Sequence, residues 1–97
     1  NFKNTKLLYA SFYKANLTNA NLSNAILKEA TLSNANLQNV NFSNADLASA
    51  LLKDADLTNA NLSNVILTGA NLTNATLNDV LLVEAILNCK NHPVCVN

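Results

Sequence analysis

Glycine and proline, the usual punctuation of tight turns, occur once each in 97 residues, so this chain must turn by other means. Arginine and tryptophan are absent, and six lysines balance six acidic residues with no run of like charge. That balance excludes the electrostatic footprint of a protein that grips nucleic acid or an anionic lipid surface. No apolar run exceeds a few residues, far short of the roughly 20 that cross a bilayer as a helix, and no secretory core segment is present. The chain opens on Asn rather than Met, as expected of a mature or trimmed chain. A length of this order makes one domain with a thin core. What the sequence has in excess is Asn, the residue after Gly that best tolerates left-handed backbone, and Asn is expected to make the turns.

An apolar residue recurs at every fifth position from Phe2 through Leu7, Phe12 and Leu17 to Leu87, eighteen times without a break. Two residues before each stands a small apolar residue, Ala in thirteen of seventeen cases, with Thr5, Val40, Val65 and Val80 as exceptions. Both columns must face inward. An α-helix advances about 500° in five residues, so these positions would wander around its surface. A flat strand would throw alternate members to opposite faces. The pattern requires a coil that turns through a fixed angle at each five-residue unit.

The polar positions set the number of units per coil. At a spacing of twenty, Asn1-Phe2-Lys3-Asn4, Asn21-Leu22-Ser23-Asn24, Asn41-Phe42-Ser43-Asn44 and Asn61-Leu62-Ser63-Asn64 align. A spacing of fifteen mixes Asn1, Asn16, Thr31, Asp46, Asn61 and Thr76. Four units per coil and a square cross-section follow.

Units such as Ala20-Asn21-Leu22-Ser23-Asn24 and Ala70-Asn71-Leu72-Thr73-Asn74 resemble the A-(N/D)-L-x-x motif of the pentapeptide-repeat family, and the resemblance covers residues 1 to 89. It implies an all-β fold, the right-handed quadrilateral β-helix, here of about four and a half coils, with residues 90–97 as a C-terminal capping segment. Departures fall mainly just before the central residue, where Ile26, Leu51, Ile66, Leu81 and Ile86 replace Asn or Asp. The columns of Asn21, Asn41, Asn61 and of Ser23, Ser43, Ser63 are read as structural. They are expected to bond to neighbours in adjacent coils and to turn backbone.

The face through Leu7, Leu27, Leu47, Leu67 and Leu87 is the least polar, with Leu8, Ile26, Ile66 and Ile86 outward and Asp46 and Lys28 interrupting. With Tyr9 and Tyr13 near the first coil, these residues form the candidate partner surface, since aromatic and branched side chains on a flat β surface suit protein contact. Repeat drift, or covering of the rod's end, is the competing reading. Cys89 and Cys95, beside Pro93 where the repeat breaks, read as a disulfide pinning the cap, which places the chain in an oxidising compartment such as a thylakoid lumen, a periplasm or the secreted space. Two free thiols, or metal ligation by Cys89, His92 and Cys95, are the alternatives. Three donors are one short of a closed zinc site.

No nucleophile, base and orienting acid stand together, and Asp46, Asp54 and Asp56 are separated by turns of the repeat. The chain is therefore expected to be no enzyme and to need no cofactor and no metal. The leading expectation is a structural or protein-interaction scaffold with a protein partner, no nucleic acid and no membrane span, and with an end-to-end homodimer as a further arrangement. The alternative is a DNA-mimicking inhibitor or protector of a type II topoisomerase, as some members of the similar family are, which the neutral charge disfavours. Ice binding would want regular Thr columns, and the column Thr18, Gln38, Thr58, Asn78 is mixed.

Overall fold

The computed structural model describes residues 1–95. Its β structure consists of single-residue parallel bridges, and no helix is present among the described residues. From Lys6↔Ile26 to Ile66↔Ile86, every bridge joins residues twenty positions apart. The residue bridged is always the one before the central residue, so a single register runs through the stack.

Three backbone bonds per unit make each junction. The Leu27 amide donates to the Asp46 carbonyl (2.7 Å) and the Glu29 amide to the Ala48 carbonyl (3.0 Å), both in the following coil. The Ile26 amide donates back to Thr5 of the preceding coil (2.9 Å). A fourth amide closes the corner within the unit, as where Ala30 donates to the Leu27 carbonyl (3.0 Å).

Turning five residues into a corner demands left-handed backbone. Every fifth residue from Asn4 to Glu84 has a positive φ, and nine of them are Asn. For most L-residues that conformation costs on the order of 1–2 kcal/mol, and Asn tolerates it best of those with a side chain. Tyr9, Lys14, Glu29, Ser49 and Glu84 occupy the same conformation without that tolerance, held there by their neighbours. Gly69 is the one corner glycine, at φ 72°, and a Cβ there would stand 3.3 Å from Ser49 Oγ one coil away. We expect Gly69→Ala to lower the unfolding free energy by about 1 kcal/mol, read as a lower urea midpoint. Ser49→Ala in the same chain should recover the part due to crowding.

The four amides just described leave one per unit, that of the residue after the centre. Where Asn or Asp precedes the centre, its side chain takes that amide: Ser43 donates to Asn41 Oδ1 (2.9 Å), Ala48 to Asp46 Oδ1 (3.0 Å) and Thr73 to Asn71 Oδ1 (3.0 Å). The motif's Asn/Asp is thus the acceptor for the one backbone donor that stacking does not use. This corrects the expectation of ladders between coils. A carbonyl oxygen so close in sequence reaches its own unit first, and among the described residues only Gln38 to Asp56 (2.8 Å) and Asn91 to Asn71 (3.4 Å) cross from coil to coil by side chains alone.

Both inward columns form one core. Central residues from Leu22 to Leu72 are buried together with the Ala and Val column from Ala25 to Ala75. Phe2, Leu7, Phe12 and Leu17 at one end and Leu77, Leu82 and Leu87 at the other are partly buried against it, because a terminal coil has a neighbour on one side only. Phe2 and Phe12, half a bridge period apart, meet edge to face at 5.6 Å and close the first coil's interior.

Candidate functional site

The large apolar side chains left outside the core are Leu8, Tyr9, Tyr13, Ile26, Leu51, Leu81, Val83 and Ile86. In the first coil, Leu8, Tyr9 and Tyr13 are about half or more exposed, at 49%, 65% and 54%. Tyr9 sits at a left-handed corner, which swings its ring away from the body, and Lys14 Nζ lies 5.3 Å from the Tyr13 ring centre. An ammonium over an aromatic face is attractive, so Lys14 and Tyr13 support each other on that surface.

Ile26, Asp46, Ile66 and Ile86 follow one another in a single bridged ladder. Ile26 and Ile86 are exposed, whereas Ile66 is half-buried between Asp46 and Ile86. Leu8 belongs to the neighbouring column on that face, above Lys28 and Ala48. The ladder is therefore broken by a carboxylate after its first isoleucine. Three exposed apolar residues, Leu51, Leu81 and Val83, lie outside the candidate surface read from the sequence. The signal was present in the run Val80-Leu81-Leu82-Val83, since the five-residue rule sends Leu82 inward and its two flanking residues out.

At the C-terminal end the regular corner is lost. Cys89 stands where the next left-handed residue would be and is not left-handed, and the last bridge joins Asn71 to Lys90, nineteen positions apart. Cys89 and Cys95 then stand at disulfide distance, with Cα atoms 4.9 Å apart, and Cys89, Val94 and Cys95 pack against the end of the core. His92 spans the loop: its Nδ1 accepts from the Val94 amide (3.1 Å) and its Nε2 lies 3.1 Å from the Ala75 carbonyl. Nδ1 must be bare to accept, so Nε2 carries the proton and donates. Both ring nitrogens of His92 are thereby engaged within the chain. Residues 96 and 97, the last of the expected capping segment, lie outside the described residues.

Asp46, Asp54 and Asp56 occupy a ladder position, a corner and the next ladder position, and they do not converge. Asp56 has its carboxyl held below the usual carboxylate range, first by the Thr58 hydroxyl (2.6 Å), then by the Thr58 amide (3.0 Å), with a contribution from Gln38. A depressed folded-state value means that the stabilisation is present above the unfolded value and is lost as pH falls through the folded one. We expect Asp56→Asn to narrow its stability difference from the parent below about pH 4, measured by urea unfolding across an acid series. Among the described residues no group of three or more His, Cys, Asp or Glu is placed to hold a metal ion.

With the geometry in place, comparison with known proteins gives three findings. Residues 6–87 match the family described as pentapeptide repeat region. No curated protein matches the chain significantly. Among solved structures, HetL of Nostoc, a pentapeptide repeat protein involved in heterocyst differentiation regulation, is 29% identical at a TM-score of 0.66 over 98% of this chain and 52% of its own. A second pentapeptide repeat protein of Nostoc is 32% identical at 0.76, covering 86% of this chain and 77% of its own. One from the thylakoid lumen of Arabidopsis thaliana is 27% identical at 0.64, covering 99% and 71%. The chain spans about half the length of HetL.

Proposed function

We infer, from the premise that this chain belongs to the pentapeptide-repeat family, a right-handed β-helix that works without catalysis, as a scaffold presenting its exterior to a protein partner. The observation that carries this reading is the pairing of a closed core with large apolar side chains left outside it, Leu8, Tyr9 and Tyr13 at one end and Ile86 at the other. Tyrosine, apolar in its ring and polar at its tip, is enriched at protein interfaces. The four-sided cross-section and the count of about four and a half coils belong to this proposal. The twenty-residue bridges and a corner at every fifth residue support them. So does the division into a repeat body, 1–89, and a cap, 90–97, which the loss of the corner at Cys89 favours.

An oxidising compartment is part of the same reading. It rests on Cys89 and Cys95 at disulfide distance and on similarity to a thylakoid-lumen protein. The lumen, a periplasm and the secreted space all satisfy it.

The experiment is affinity capture from the native source with three baits: the parent chain, Tyr9→Ser/Tyr13→Ser, and Ile26→Asp/Ile86→Asp. Ile66 is left untouched because it is half-buried. A protein held by the parent and lost from one of the two variants supports a partner surface and says whether the tyrosines or the isoleucine ladder carry it. A capture profile identical for all three baits removes Tyr9, Tyr13, Ile26 and Ile86 from the account.

A further inference from the structure

We propose that the Cys89–Cys95 bond is a site of thiol–disulfide exchange with a dithiol reductant, and that its reduction releases residues 89–95 from the body while the coils before them stay folded. The proposal rests on the reading above that the two cysteines are joined.

An ordinary unit is held by a large central side chain in the core and by three backbone bonds to the coil before it. The unit around Leu72 shows both. Leu72 is fully buried, the Asn71 amide donates to the Ala50 carbonyl (2.9 Å), and the Asn71 and Thr73 carbonyls accept from the Leu52 and Asp54 amides (both 2.8 Å). One coil on, Lys90 keeps the first two of these bonds, donating to the Ala70 carbonyl (2.8 Å) and accepting from the Leu72 amide (3.0 Å). The third is lost, since the Asn74 amide has no partner among the described residues. Asn91, in the place of a central leucine, is exposed and left-handed at φ 66°. No large apolar side chain anchors this unit on the axis.

The segment is fixed by local means instead. His92 Nε2 donates to the Ala75 carbonyl (3.1 Å), where one coil earlier the equivalent acceptor, Ala55, receives the Thr76 backbone amide (2.9 Å). The Cys95 amide donates to the His92 carbonyl (2.9 Å), closing a turn over Pro93 and Val94. Cys89, Val94 and Cys95 pack against the core, so the joined cysteines supply most of the apolar seat as well as the covalent tie. A short covalent ring removes closure entropy from the released segment. Without it, the bonds of Lys90 and His92 alone must offset the cost of ordering these residues.

Both cysteines are half-buried rather than enclosed, which leaves their sulfurs open to an attacking thiolate. That thiolate bonds to one sulfur while the other departs and takes up a proton. The second thiol of the reductant then displaces the mixed disulfide. Two electrons and two protons pass to the protein, which now carries two thiols, and the reductant is left as a disulfide.

Amide hydrogen exchange of the 97-residue chain, followed by NMR with dithiothreitol as the dithiol, tests this. In the untreated protein the Leu72, Lys90 and Cys95 amides should be protected. After reduction they should exchange roughly fiftyfold faster, the loop-closure effect of so small a ring, while the Leu52 and Asn71 amides one coil earlier keep their rates. Cys89→Ser/Cys95→Ser without reductant should match the reduced parent, and reoxidation of the parent should restore protection. Unchanged exchange at Leu72 and Lys90 would overturn the release. Equal acceleration at Leu52 and Asn71 would overturn it too, because the bond would then guard the whole stack. Alkylation under denaturing conditions reads the bond separately. Two alkyl groups on the untreated protein refute the joined cysteines, and the exchange site with them. None before dithiothreitol and none after refutes the exchange site, and none before but two after, with protection unchanged, refutes the release alone.

Discussion

Phe42→Ala is expected to cost about 3–5 kcal/mol, enough to lower the melting temperature of a chain of this size by roughly 15–30 °C. Phe42 is fully buried at the middle of the stack, with coils on both sides. Its neighbours in the core, other central residues and the small column around them, are fixed by backbone bonds every few residues. They have little freedom to collapse into the space a ring leaves, so the cavity remains. The same truncation at Phe2 should cost much less, since Phe2 is only partly buried in a coil with one neighbour. Differential scanning calorimetry of the two variants decides it, and equal losses would show that depth in the stack does not govern stability.

Removing one residue should be far worse than removing five. Deleting Ser43 alone turns every later unit by one position, so that central leucines leave the axis and polar residues enter it. A single buried polar group without a partner costs about 1–3 kcal/mol, and the slip introduces one per unit, beyond what any domain of this size can hold. Deleting residues 45–49, one whole unit, keeps every later leucine inward. It moves the outer columns on by one face and leaves the bridge spacing intact. The expected result is a folded chain, slightly less stable, from the five-residue deletion and an unfolded or insoluble one from the single deletion. Circular dichroism and solubility report both. The chain itself makes the smaller slip once, at Cys89, and there the regular coil stops.

How much of this could be read in the sequence follows from which contacts are periodic. The inward columns were legible because their period of five is unbroken. The twenty-residue register was legible in the alignment of Asn21, Asn41 and Asn61, which the structure bridges in that order. The turn role of Asn was legible from its tolerance of left-handed backbone, and Asn24, Asn44 and Asn64 sit at corners. The destination of the other Asn column was not, because a side-chain carbonyl can reach its own unit or the next coil with equal plausibility on paper. Only the count of amides left over by stacking decides for the former. Exposure within the Ile26, Ile66, Ile86 column depends on what lies above and below each member, and Asp46 and the end of the stack make the three unequal. Past Leu87 there is no period to extrapolate, so the nineteen-residue bridge of Lys90 and the two bonds of His92 carry no advance signal.

The central claim is that coils stack in parallel, twenty residues apart, around the leucine axis. Scalar couplings transmitted through hydrogen bonds in a labelled sample test it directly by NMR. The account predicts couplings from the Leu27 amide nitrogen to the Asp46 carbonyl carbon and from Leu47 to Ile66, each nineteen residues on. Couplings running instead to carbonyls four residues earlier, or at a spacing of fourteen or twenty-four, would contradict it.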